Sequence, residues 1–150
     1  MCDLPAVSGA YILLIDLDRP LALDIPTLAP ATLPPGRYAY CGSARGPGGL
    51  RARLARHLRR DKALRWHVDR LTALGRVTAL VAVPQGAECA LRAALQAAPG
   101  VTAPLPGFGS SDCRTCPSHL LALPPGFDLD AWVVDHHEAF GGNLMLNVKC

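Results

Sequence analysis

The sequence predicts an α/β domain in which a small central mixed or antiparallel sheet is flanked by helices. Three observations carry this. Apolar runs of strand length at 11–17, 37–41 and 77–83 have glycine or proline close to their ends. Leu50, Leu54 and Leu58 recur every four residues after a glycine-rich stretch, the spacing of one helical face. Behind the Val-rich run, residues 87–97 carry Leu91 and Leu95 at the same spacing.

In chain order, 11–17 reads as a strand turning at 16–20, with 21–25 as its hairpin partner. Residues 26–36 hold Pro26, Pro30, Pro34 and Pro35 and cannot be regular structure throughout. The next strand, 37–41, sets Tyr38 and Tyr40 on alternate positions, hence on one face. Residues 42–49 read as a loop and 49–60 as a helix, with its Leu stripe toward the sheet and Arg53, His57 and Arg60 on an adjoining face. A short helix is expected at 65–74, a buried strand at 77–83, a helix at 87–97, loops over 101–116 and a last strand at 120–123. Residues 130–140 suit a helix ended by Gly141-Gly142. The 150 residues form one domain, with 123–150 as an extension packed on it.

Half of the residues are hydrophobic and 18% are charged, as in a soluble globule. No apolar run approaches the ~20 residues that span a bilayer, and residues 1–9 lack the basic and apolar regions of a secretory signal. A cytoplasmic location is therefore expected. There the six cysteines read as thiols or metal ligands rather than a disulfide framework. Cys41 and Cys89, inside apolar segments, read as packing residues.

Charge is unevenly placed. Nine of the fifteen Lys and Arg residues fall between Arg45 and Arg70, against two acids, Asp61 and Asp69. Arg45, Arg51, Arg56, Arg59, Arg60 and Lys62 are candidate nucleic-acid contacts; a solvated basic helix is the plainer alternative. Arg53 and His57, four apart, share a helical face near the strand-end Tyr40. A phenol, a guanidinium and an imidazole on a positive surface suit binding and cleaving a phosphodiester.

Gly9-Ala10-Tyr11 with Tyr40-Cys41-Gly42 resembles the paired signature of the GIY-YIG nuclease superfamily. Gly36 to Ala44, Trp66-His67-Val68-Asp69, and Gly107 to Cys113 followed by Ser118-His119-Leu120 resemble a small-protein branch of unknown function, sometimes fused to endonuclease III. The resemblance covers about residues 9–122. It implies a GIY-YIG-like fold with insertions and a catalytic set of Tyr11, Tyr40, Arg53, His57 and Glu88. Arg53 would contact phosphate, and Glu88 would hold Mg²⁺ or Mn²⁺. Glu88 also reads as an ordinary acid at a helix N-terminus, favoured there by the dipole.

Cys113, Cys116 and His119 are spaced as three zinc ligands. The competing reading is a polar network of Ser110, Ser111, Asp112 and His119 along the cleft. His67 and Asp69 are accessory candidates. Trp66 reads as core or as a lid on the basic face. The function expected is a metal-dependent endonuclease acting on DNA, in repair. The alternatives are a non-catalytic nucleic-acid-binding module and a zinc-stabilised interaction domain.

Overall fold

The computed structural model describes residues 4–26, 28–109, 116 and 118–146. Its centre is a five-stranded antiparallel sheet of order β6-β4-β1-β5-β7. The strands are β1 (Gly9–Leu17), β4 (Gly36–Ala44), β5 (Arg76–Pro84), β6 (Leu120–Leu123) and β7 (Met145–Leu146). Every neighbouring pair runs antiparallel, which settles the expected "mixed or antiparallel" sheet.

The two faces of β1 divide the core, because side chains alternate along a strand. Tyr11, Leu13, Ile15 and Leu17 enter one cluster with Leu50 and Leu54 of α1 (Gly49–Leu58) and Leu71 of α2 (Asp69–Leu74). Ala10, Ile12 and Leu14 enter the other, with Leu91 and Leu95 of α3 (Glu88–Gln96) and Trp132 and Val133 of α4 (Leu129–His136). The result is three layers, with a helix pair on each side of the sheet.

Several expectations are corrected. Residues 21–25 do not form a hairpin with β1. β2 (Leu21–Leu23) pairs instead with β3 (Ala31–Leu33) in a separate two-stranded ribbon. Both edges of β1 are already taken by β4 and β5, so no ladder remains for it there. The strand expected at 37–41 runs on to Ala44, since each residue from Gly36 to Ala44 has a partner on β1. Gly42 and Ser43 thus belong to the ladder, not to a loop. The helix expected over 49–60 stops at Leu58, with Arg59 extended. The helix expected from 65 begins at Asp69, because the Asp69 carboxylate accepts from the backbone N–H groups of Arg65 and Trp66 and fixes a turn there. The last helix divides into α4 and a 3-10 turn (Glu138–Phe140), ended by Gly141 and Gly142 at φ 68° and 72°.

One glycine controls the sheet's functional end. Gly42 sits opposite Tyr11 in the register, and the Tyr11 ring lies across the space where a side chain would be. A Cβ there would come within 2.5 Å of Tyr11 Cζ and Oη and 2.9 Å of Tyr40 Cε2. Gly42→Ala is therefore expected to displace both rings and to destabilise the fold by about 1–3 kcal/mol, the usual cost of overpacking. Urea unfolding of both proteins, read from midpoint and slope, measures this.

Candidate active site

The tyrosines stand on adjacent strands, Tyr11 on β1 and Tyr40 on β4, and share a face with α1. Helix α1 brings Arg53 and His57 over them from successive turns. Glu88 opens α3 just beyond the end of β5. All five side chains line one cleft of about 380 Å³, together with Ser43, Arg45, Arg65, Trp66, His67, Gly109 and His119. The structure thus brings together every residue expected to be catalytic.

At its floor, Tyr11 Oη lies 2.6 Å from His57 Nε2. Both are buried, His57 with 1% of its surface exposed. Burial pushes the Tyr11 phenol well above its ordinary range, despite the opposing charge of Arg53. Burial also carries His57 down to about 3, reinforced by the cations of Lys62, Arg53 and Arg56. Near neutral pH both groups are uncharged. The phenol and the neutral imidazole share this hydrogen bond, and the tautomer of the ring sets which of them donates. Tyr40, buried beside them, is also raised well above the ordinary phenol range by burial and by the nearby Tyr11.

Arg53 is held in place. Its Nη1 donates to the Ser43 carbonyl at 2.9 Å, and its guanidinium lies 4.2 Å from the Trp66 ring centre. Arg56 lies over the same ring at 4.1 Å. Trp66 therefore does both things expected of it: it packs against the core beside His57 and carries two guanidinium groups on the basic face. His67 Nδ1 accepts from the Gly109 backbone N–H at 2.9 Å and braces the loop across the cleft.

Other candidates have different roles from those expected. Asp69 does not face the cleft. It is fully buried, and Arg56 donates to its carboxylate from both terminal nitrogens at 2.8 and 3.0 Å. Burial alone would raise its pKa, but Arg56 and the Trp66 and Arg65 N–H groups hold it below the carboxylate range. Arg56 is thereby consumed as a structural bracket rather than left for phosphate. Lys62 donates to the carbonyls of Arg56 and His57 and closes the end of α1. Arg60 donates to the Gly75 carbonyl, and Arg51 to that of Leu4. Arg45 and Arg65 line the cleft, Arg59 is exposed, and among the described residues none of the three has a side-chain hydrogen bond or ion pair.

Among the described residues, Glu88 is the one carboxylate lining the cleft. Its Oε2 lies 3.7 Å from Nδ1 of His119. Cys113, Ser111 and Asp112 lie outside the described residues. Cys116 and His119 do come together, and the third candidate ligand beside them is Cys89 of α3, expected only to pack. Sequence spacing hid this, since Cys89 lies 27 positions before Cys116 (116 − 89).

An antiparallel α/β domain with a Tyr-His-Arg-Glu cleft is the class that fold and site define. The chain belongs to the family described as Domain of unknown function DUF123, whose model matches residues 10–141. No curated protein and no solved structure matches it.

Two outcomes are expected. A base whose pKa is lower in the folded state than in the unfolded one stabilises the fold fully above its unfolded value, here 6.5, and progressively less on acidification. Stability should thus fall from pH 6.5 toward the carboxylate range near pH ~4, and His57→Gln should flatten that limb. Equilibrium unfolding across that range decides it; an unchanged slope would exclude a buried neutral His57. Separately, Asp69→Ala strands the half-buried Arg56 and two backbone donors. A loss of about 3 kcal/mol is expected, the lower end for a broken buried pair, measured by denaturant unfolding at pH 7.

Proposed function

We propose that this protein is a metal-dependent endonuclease cutting DNA phosphodiesters in the cytoplasm, in repair, as the resemblance to GIY-YIG nucleases implies. The observation that carries this reading is the convergence of Tyr11, Tyr40, Arg53, His57 and Glu88 on one cleft whose rim presents Arg45 and Arg65.

The chemistry requires a base for the attacking water, a cation on the phosphoryl oxygens and a group to hold developing charge. Tyr11 and His57 supply the first as a relay. Water gives a proton to Tyr11 Oη as Tyr11 passes its own to Nε2 over the 2.6 Å hydrogen bond. His57 ends as the imidazolium and the phenol is restored. Of the nearby cations that depress His57, Arg53 is the one that faces the cleft, where a phosphate would neutralise it. Substrate entry therefore raises its basicity where it is needed. Arg53, fixed by Ser43 and Trp66, meets a non-bridging oxygen without reorganising. The Glu88 carboxylate is a hard oxygen donor, the kind Mg²⁺ and Mn²⁺ select, and it faces the cleft half-buried, so the residue present fits such an ion. When bound, the ion supplies Lewis-acid stabilisation of phosphoryl charge.

Purified protein should cut at least one of a panel of plain, nicked, flapped and branched DNAs with Mg²⁺ or Mn²⁺. His57→Ala and Glu88→Gln should each lower the rate by about 10²–10⁴ and leave binding nearly intact. Arg53→Ala should lower both. Duplex affinity should fall with salt by about 0.9 in the log–log slope per phosphate neutralised. Arg45→Ala with Arg59→Ala and Arg65→Ala should flatten that slope, whereas Arg60→Ala should not. Wild-type protein that binds the panel and cuts nothing would leave a binding module in place of an enzyme. Absence of binding at low salt would remove nucleic acid as the partner.

A further inference from the structure

The His119 ring is 98% buried, since 2% of it is exposed, and neither ring nitrogen has a hydrogen-bond partner among the described residues. A buried polar atom without a partner costs about 1–3 kcal/mol, so an imidazole with two such atoms needs an explanation. The residues around it offer one. Sγ of Cys89, Sγ of Cys116 and a ring nitrogen of His119 all lie within 4.8 Å of one another.

We infer that Cys89, Cys116 and His119 form a zinc site that joins α3 to the segment entering β6. Two thiolates and one imidazole make a soft, borderline donor set that favours Zn²⁺ over Mg²⁺ or Ca²⁺. A Zn–S bond of about 2.3 Å in tetrahedral geometry sets ligand atoms roughly 3.8 Å apart. The observed cluster is thus within a small side-chain adjustment of closure, and ordering by the metal would draw it in. Binding releases the two thiol protons and places zinc on one ring nitrogen. The carboxylate 3.7 Å from Nδ1 then answers the other kind of need. With zinc on Nε2, Glu88 can accept from the Nδ1–H that it lies beside, the arrangement that orients metal-bound histidines.

The elements meeting here are already tied once. Buried Arg92 of α3 donates to the Ser118 carbonyl, one residue before His119. Zinc would add a second tie at the first turn of α3 and would fix both His119 and Glu88 on the wall of the cleft. The site uses other ligands than the hard-metal position proposed for catalysis, although it adjoins that position through Glu88, and it stands whether or not the protein cuts DNA.

The test uses the whole protein, purified under reducing conditions without chelator. Elemental analysis should give close to one zinc per chain, and Co²⁺ exchanged for it should show a thiolate-to-metal charge-transfer band. Zinc should protect Cys89 and Cys116, but not the cysteines as a class, from alkylation mapped by mass spectrometry. A chelator should remove that protection and lower Tm. These readouts need no variant and so do not depend on a mutant folding. Cys89→Ser and Cys116→Ser should each lose the zinc and the band. Zinc-free protein that gains no thiolate band with added Co²⁺ would overturn the inference. So would a Cys89–Cys116 disulfide in reduced-purified protein, or zinc retained at full stoichiometry in Cys89→Ser.

Discussion

The site depends on one missing side chain. Because residue 42 is glycine, the Tyr11 ring can lie across the neighbouring strand instead of standing off it. Only in that position does its hydroxyl meet Nε2 of His57 from the overlying helix. The β1–β4 register fixes which residue faces which, and a slip of one residue would turn Tyr11 to the opposite face of the sheet. Sheet register, ring packing and the buried hydrogen bond are thus one constraint. The same space admits Tyr40, whose ring lies 6.4 Å from those of both Tyr11 and His57.

Electrostatics around this core follow from which cations the fold consumes. The cluster from Arg45 to Arg70 looks in sequence like a uniform polyanion surface. In three dimensions Arg56 neutralises buried Asp69, and Lys62, Arg60 and Arg51 satisfy backbone carbonyls. Lys62 and Arg56 still set the local potential, which is part of what keeps His57 neutral. The charge left for a ligand is concentrated at Arg45 and Arg65 on the rim, with Arg53 inside. Trp66 links the two populations, since structural Arg56 and cleft-facing Arg53 both rest on its ring. Each such contact contributes about 0.5–2 kcal/mol, so loosening Asp69 would reach the cleft through Arg56 and Trp66.

Much of this was legible in the sequence, for identifiable reasons. Period-four leucines and bounded apolar runs report burial directly, so α1, β1, β5 and α3 were readable. The convergence of Tyr11, Tyr40, Arg53, His57 and Glu88 was reached through motif resemblance; composition alone would not have joined Glu88 to Tyr11 across 77 positions (88 − 11). What escaped has a common cause. The β2–β3 ribbon depends on β1 having no open edge, the roles of Arg56 and Asp69 on a hydrogen-bond network, and the Cys89–Cys116–His119 cluster on α3 lying against the entry to β6. The first is a short hairpin whose partner is decided by a distant sheet and the others are pairings across the chain, and none of them leaves a periodicity behind. The start of α2 is the local exception. Asp69 is an acid in the first turn, a readable signal, but its reach back to two preceding N–H groups displaced the boundary.

The same burial that makes the Tyr11–His57 pair stable makes it unreactive on its own. A phenol held above its usual range gives up a proton poorly, and an imidazole lowered to about 3 accepts one poorly. Neither weakness is intrinsic to the groups; both come from desolvation, and for His57 also from surrounding positive charge. Under the proposed reading an anion in the cleft changes that second contribution and leaves the first in place. A phosphodiester between Arg45, Arg53 and Arg65 would partly cancel the field acting on His57 without admitting bulk water to its ring. The imidazole would gain basicity only while substrate is present, and the resting protein would keep a neutral, tightly packed core. Stability and reactivity then make opposite demands on one side chain, and the ligand's own charge decides which of them is met.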